Sequence, residues 1–235
     1  MGLHLFRPGH RMGSERPCRG TARKGDTDVR VLLLNGSPHE AGCTCTALRE
    51  VGAALEREGV ETVLVWIGKQ PIAGCVACGA CGKTGACVFR EDGVNALAAR
   101  LDDFDGMIVG SPVYYAGPAG QLCCFLDRLF YSAGGKLAGK LGAAVVSCRR
   151  GGASAAFDRL NKYFTINNMP LVPSQYWNQV HGNCPEEVRR DEEGMQTMRT
   201  LGQNMAWLLR QRQAAGTLGV GAPVYEEKRR TNFIR

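Results

Sequence analysis

No apolar run in this 235-residue sequence exceeds strand length; Val31–Leu34 and Met107–Val109 are typical. Crossing a bilayer as a helix takes about 20 largely apolar residues, so no membrane association is expected. Residues 1–27, rich in Arg, Gly and Pro, lack the apolar core of about 7–15 residues that a secretory signal needs. They also lack any periodic apolar pattern, and are expected to form a disordered basic extension or to follow from a translation start upstream of the true one. No internal repeat is present. Neither G-K-S/T nor G-x-G-x-x-G occurs in a phosphate-binding context, which speaks against a nucleoside-triphosphate enzyme and a dinucleotide fold. Charge is missing where nucleic acid would need it. The net +7 comes from six Lys/Arg against two acids in residues 1–27 and five against two in residues 212–235, which leaves the body between them neutral. A basic groove has to be built on the folded body, so no nucleic-acid partner is expected.

What is present suits one α/β domain: 44% hydrophobic and 22% charged residues. Strand and helix periods alternate from about residue 28 to 213, with a further tail over 214–235 whose Val224, Tyr225, Phe233 and Ile234 offer apolar contacts to a neighbour. Arg30–Asn35 reads as a buried strand, Thr44–Glu58 as a helix with Leu48, Val51, Ala54 and Leu55 on one face, and Val60–Ile67 as a second strand. Asp92–Asp103 (helix), Gly106–Ser111 (strand), Pro118–Tyr131 (helix), Gly142–Cys148 (strand) and Ala153–Phe164 (helix) continue the pattern. Pro170–Gln175 reads as an edge strand interrupted by Pro173, and Glu186–Gln211 as one closing helix. Five strands in this alternation predict a doubly wound parallel sheet of order 2-1-3-4-5, with ligands at the carboxyl ends of the first and third strands.

Between the second strand and the next helix lies a cysteine-rich insertion, residues 74–90. Cys75, Cys78, Cys81 and Cys87 are spaced C-x2-C-x2-C-x5-C, four of eleven cysteines within thirteen residues. Three thiolates at steps of three and a fourth nearby can wrap one soft metal centre. Disulfides would instead be spread along a small secreted chain. Structural zinc usually takes two knuckles separated by a longer spacer. A 4Fe–4S cluster is the better match to the spacing; zinc and a loop of free thiols stay open. Of the remaining cysteines, Cys123, Cys124 and Cys148 read as small hydrophobes. Cys43 and Cys45, near a helix start, are expected to be oxidation-sensitive thiolates.

Two loops fall at the predicted ligand edge. Asn35–Thr44 carries Gly36 and Gly42, the hydroxyls of Ser37 and Thr44, and a helix start, which together make a phosphate cradle; an ordinary capped turn is the alternative. Ser111–Pro118 places Tyr114 and Tyr115 between prolines at a strand mouth, a rigid edge for a flat ring, unless both are core residues. His181 reads as a surface or outer-layer histidine in a loop.

Together GSPHEAGCT, the cysteine spacing, SPVYYAGPAGQLCCFLDR and SCRRGG resemble the NADPH-dependent FMN reductase superfamily of flavodoxin-like proteins, and within it the iron-sulfur flavoproteins, over Val29–Gln211. The resemblance implies that the first loop holds the FMN phosphate through Ser37, Pro38, His39, Cys43 and Thr44. His39 stands where the family has arginine and Cys43 where it has asparagine, so backbone amides, Ser37 and Thr44 carry more of the binding. Pro112, Val113, Tyr114 and Tyr115 would line the flavin ring and ribityl chain, and Ser147, Arg149, Arg150 and Gly151 would close the other side. Cys75, Cys78, Cys81 and Cys87 match the family's cluster ligands.

The function this implies is FMN-dependent oxidoreduction, converting between two-electron and one-electron transfer through FMN and a 4Fe–4S cluster. The donor would be NAD(P)H or a ferredoxin-type carrier and the acceptor a small molecule. No Ser/His/Asp set or carboxylate pair is evident, and none is required. Alternatives are a plain NAD(P)H-dependent FMN or quinone reductase without a cluster, and a non-catalytic flavin electron carrier or redox sensor. Abundant free cysteine implies a reducing, cytoplasmic setting. A homodimer or larger homo-oligomer is expected, with Tyr114–Tyr131 near the contact and Leu122, Phe125 and Leu129 forming its apolar face.

Overall fold

The central strands of the sheet are apolar runs, and the helices between successive parallel strands cover its two faces. The computed structural model describes residues 29–227 together with 229, 231 and 233, so the expected extension over 1–27 lies outside the described residues. In chain order the elements are β1 (Arg30–Asn35), α1 (Cys43–Arg57), β2 (Glu61–Trp66), α2 (Cys81–Thr84), α3 (Val94–Arg100), β3 (Gly106–Tyr114), β4 (Gly117–Pro118), α4 (Gly120–Ala133), β5 (Leu141–Cys148), α5 (Ala153–Ile166), β6 (Gln179–His181), α6 (Pro185–Arg190) and α7 (Glu192–Thr217). The sheet order is β2-β1-β3-β5-β6, with β4 paired antiparallel to the end of β3 and every other pair parallel. Counting only the parallel strands, this is the predicted doubly wound order.

Side-chain alternation along the strands splits the core in two. Leu32, Leu34, Met107, Val109, Ala144 and Val146 face α3, α4 and α5, whereas Val31, Leu33, Ile108, Ala143 and Val145 face α1 and α7. Each fully buried leucine or valine contributes roughly 1.5–3 kcal/mol. No helix among the described residues is long and apolar enough to cross a membrane.

Four expectations are corrected. Pro170–Gln175 is not a strand. It makes one bridge to β5, in which Gly142 donates to the Pro170 carbonyl at 3.0 Å and accepts from Val172 N–H at 2.9 Å. Pro170 and Pro173 have no N–H to extend the ladder, and the edge position passes to Gln179–His181. The closing helix is two: Asp191 ends α6 and caps α7, its side chain accepting from Gly194 N–H, and α7 runs on to Thr217. The Ser111–Pro118 loop is partly strand. β3 continues to Tyr114 and turns back through Tyr115 and Ala116, both left-handed at φ 49° and 58°, as a two-residue hairpin of this twist requires. Finally, Leu122, Phe125 and Leu129 are buried in the chain's own core and form no exposed face for a partner.

Candidate functional site

The carboxyl ends of β1, β3 and β5 bring the three predicted cofactor loops together. After β1, Asn35 is fully buried and shapes the turn: its side chain accepts from Ser37 N–H at 3.0 Å and donates to the Glu40 carbonyl at 3.1 Å. The Ser37 hydroxyl accepts from His39 N–H at 3.1 Å, while Pro38 is half-buried and His39 exposed. The turn ends at Gly42, which caps α1 without a side-chain hydrogen bond, and the first turn of α1 holds no acidic residue. First-turn amides have no intrahelical carbonyl to bond, so this end of α1 offers N–H groups and the positive end of a helix dipole. Such a donor set suits an anionic phosphate.

The other loops close around it. Thr44 Oγ1 and Ser147 Oγ share a buried hydrogen bond at 2.8 Å, joining the α1 start to the end of β5. Arg149, Arg150 and Gly151 are exposed just beyond. Gly152, at φ 90°, packs so tightly on the hairpin that a Cβ there would lie 2.8 Å from Ala116 Cα. Pro112 and Val113 are half-buried, Tyr114 is exposed and Tyr115 wholly so, which removes the core-tyrosine reading. His181 ends β6. Its backbone N–H donates to Asp191 Oδ2 at 2.7 Å, and its Nδ1 lies 3.7 Å from the same oxygen.

The cysteine insertion sits at the same edge of the sheet. Trp66, at the end of β2, donates its indole N–H to the Ser37 carbonyl at 2.8 Å, and Gln121 of α4 donates to the Gly68 carbonyl at 2.9 Å. Cys75, Cys78, Cys81 and Cys87 all line one cavity, together with Phe89, Arg128 and Tyr131. Ala77, Gly79 and Gly85 are left-handed within the loop. Left-handed residues alternating with ordinary ones turn successive N–H groups inward, a concavity that suits phosphate and iron–sulfur groups. Among the described residues no three His, Cys, Asp or Glu side chains converge as ligands of a single metal ion. One zinc ion would draw its sulfurs to about 2.3 Å from a common centre. A cubane takes each thiolate on a separate iron, and the four cysteines lining one cavity are residues that could hold it.

Two residues that the sequence reading did not single out hold this loop. Asn95 of α3 clasps Cys87, accepting from its N–H at 2.8 Å and donating to its carbonyl at 2.9 Å and to that of Phe89 at 3.0 Å. Arg128 of α4 is 1% exposed and donates to Cys87 Sγ at 3.1 Å, to the Ala73 and Phe89 carbonyls at 3.2 and 3.0 Å, and to the Asp92 carboxylate through both terminal nitrogens. Burial disfavours its charge, but Asp92 and Cys87 more than offset this. Loss of Asp92 would strand a buried cation, at a cost of about 3–5 kcal/mol. The signal in the sequence was an arginine three residues after Phe125, beside the apolar stripe of α4.

The family sequence pattern described as NADPH-dependent FMN reductase matches residues 29–183. The chain belongs to that family. An iron-sulfur flavoprotein of Methanocaldococcus jannaschii is 30% identical over 186 residues, covering 76% of this chain and 96% of that protein. Another, from Methanosarcina thermophila, is 32% identical over 178 residues, covering 72% and 90%. Among solved structures, RosB with a bound intermediate superposes with a TM-score of 0.64 at 15% identity, over 88% of this chain and 93% of that one. A WrbA-like flavodoxin from Agrobacterium tumefaciens does so at 0.54 and 18% identity, over 79% and 99%. These structural matches bear on the fold, which is flavodoxin-like. As a family member the chain is an FMN-dependent oxidoreductase.

Outside the loop, Cys43 and Cys45 behave differently from expectation, whereas burial at Cys123 and Cys148 agrees with their reading as small hydrophobes. Burial pushes the Cys43 and Cys45 thiols up rather than down, outweighing the amides near Cys43 and the Arg49 charge near Cys45. Burial likewise raises Cys123 and Cys148. Cys124 lies beside the start of the insertion: a Cβ on Gly74 would be 3.7 Å from its Sγ. In metal-free protein at about pH 8, near the unperturbed thiol range, iodoacetamide should label the exposed Cys75 and Cys78 well before Cys45. Peptide mapping that finds Cys45 among the first labelled would contradict the burial argument.

Proposed function

We propose that this family member passes electrons between an NAD(P)H or ferredoxin-type donor and a small-molecule acceptor, using FMN in the three-loop site and a 4Fe–4S cluster in the cysteine loop. The observation that carries this reading is that all four loop cysteines open onto one cavity, in a loop tied at both ends to the helix that follows the tyrosine hairpin. FMN would supply two-electron uptake with single-electron release, and the cluster one-electron transfer. The chain's own residues position both. Amides at the start of α1 and the Asn35–Ser37 turn would hold the phosphate, with Thr44 and Ser147 fixing the floor beneath it. Pro112, Val113, Tyr114 and Tyr115 would present a flat edge to the ring, and Arg149, Arg150 and Gly151 would close the side opposite. Cys75, Cys78, Cys81 and Cys87 would ligate the cluster.

We place the protein in the reducing cytoplasm, where such thiols persist. We also retain a homo-oligomer as the working assembly, now on the exposed Tyr114, Tyr115 and Tyr131 rather than on the buried leucines. Light scattering that gives a flavin-loaded monomer would refute it.

The donor assignment is tested by anaerobic stopped-flow reduction with NADPH, NADH and a reduced ferredoxin in turn. Fast reduction by at least one is expected, and no reduction by any would refute the reading. Ser37→Ala removes the hydroxyl that organises the loop, a loss of about 1 kcal/mol, which corresponds to roughly fivefold weaker FMN binding by fluorescence titration. Unchanged affinity would refute the phosphate assignment.

A further inference from the structure

We infer that Arg128 fixes Cys87 as a ligand and sets the reduction potential of the cluster, an inference that rests on reading the cysteine loop as a 4Fe–4S site. A guanidinium has five N–H donors. All five are used here: Nε on Cys87 Sγ, and the two terminal nitrogens on Asp92, Ala73 and Phe89. The guanidinium also lies 4.9 Å from the centre of the Phe89 ring. These partners lie on both sides of the insertion, Ala73 before Cys75 and Cys87, Phe89 and Asp92 at its far end, so one side chain on α4 clamps the loop shut.

A residue needed only to fill the inner face of α4 would be a leucine or methionine, as its neighbours Leu122, Phe125, Leu126 and Leu129 suggest. Burying a cation instead is costly unless its polarity is used. The Asp92 carboxylate takes the two terminal nitrogens, which balances the charge and leaves the Nε–H directed at sulfur. A charge-assisted hydrogen bond to a thiolate ligand stabilises the more negative, reduced cluster more than the oxidised one, so it raises the potential. Near-complete burial keeps solvent from screening the effect. Arg128 is therefore a positioning residue, acting through Cys87 and not on any substrate.

The test compares wild type, Arg128→Lys, Arg128→Gln and, as a charge control, Lys83→Gln, all purified anaerobically. Lys83 is exposed on α2 within the same loop. FMN per chain reports the fold, iron release to a chelator reports the clamp, and an EPR-monitored redox titration reports the potential. Arg128→Gln is expected to keep FMN, release iron faster and make one-electron reduction at least tenfold less favourable, a midpoint lower by about 59 mV or more. Arg128→Lys should fall between it and wild type, because it keeps the charge but loses the fork. Lys83→Gln should match wild type. If Arg128→Gln keeps FMN but holds no iron, the clamp is upheld and the potential is read on Arg128→Lys, where a wild-type midpoint overturns the tuning role. Loaded Arg128 variants with wild-type midpoints and wild-type iron release overturn this inference alone. Wild-type protein without iron or sulfide overturns the cluster reading first and this inference with it.

Discussion

Serine in place of any one of Cys75, Cys78, Cys81 or Cys87 is expected to strip iron and sulfide from the anaerobically purified protein while FMN stays bound. The four thiols share one cavity, so removing one opens the cluster to solvent and leaves an iron without its protein ligand. The flavin contacts are assigned to the loops after β1, β3 and β5, which do not depend on those sulfurs. Cys81→Ser should therefore lose reduction by a one-electron donor and keep any direct reduction by nicotinamide. Cys123→Ala is the control. Its thiol lies on α4, outside the residues lining that cavity, and its loss should leave iron content unchanged. Iron and flavin assays on the set decide the matter. Full iron in all four serine variants would show the loop to be a thiol-rich connection and leave the plain flavin reductase.

The second large effect is expected at Gly36. A Cβ there would lie 2.4 Å from Leu122 Cδ2 and 2.8 Å from its Cγ, and Leu122 is fully buried under the sheet edge. Something has to shift. The buried Leu122 side chain, α4 behind it or the Asn35–Ser37 turn has to move, at a cost of about 1–3 kcal/mol. Gly36 lies within the cradle, so Gly36→Ala should lower the denaturation midpoint and also lose FMN. Gly135→Ala, which meets nothing within 4 Å and has no positive φ, should change neither. Urea denaturation and flavin content measure both effects, and a Gly36→Ala protein with wild-type stability and flavin would contradict the packing described.

Most of the fold was legible because its signals are local. The β1 run RVLLLN, the helical stripe through Leu48, Val51 and Leu55, and β5 are buried as their periods indicate. The edge strand was misplaced since an edge strand needs few apolar residues. Pro170–Gln175 was read as that strand in spite of Pro173, whereas the true one, Gln179–His181, is three residues long, too short to show a period, and was read as loop. The apolar residues of α4 were assigned to a partner since periodicity shows that a face is buried but not against what. In the site, the loops after β1 and β3 were singled out from their glycines, hydroxyls and tyrosines and the loop after β5 only through the family resemblance; the structure brings all three to one edge of the sheet. Asn95 and Arg128 could not be singled out, because they act on Cys87 from 8 and 41 residues away and their side chains carry no motif. Cys43 and Cys45 were misjudged for a related reason: position near a helix start is visible in sequence, but the depth of burial that overrides it is not.

The central claim is that one folded chain carries both a flavin and a cluster, and it is tested most directly by iron, acid-labile sulfide and flavin assays on a single anaerobically purified sample. About four iron, four sulfide and one FMN per chain are expected. Stoichiometric FMN with no acid-labile sulfide would contradict it.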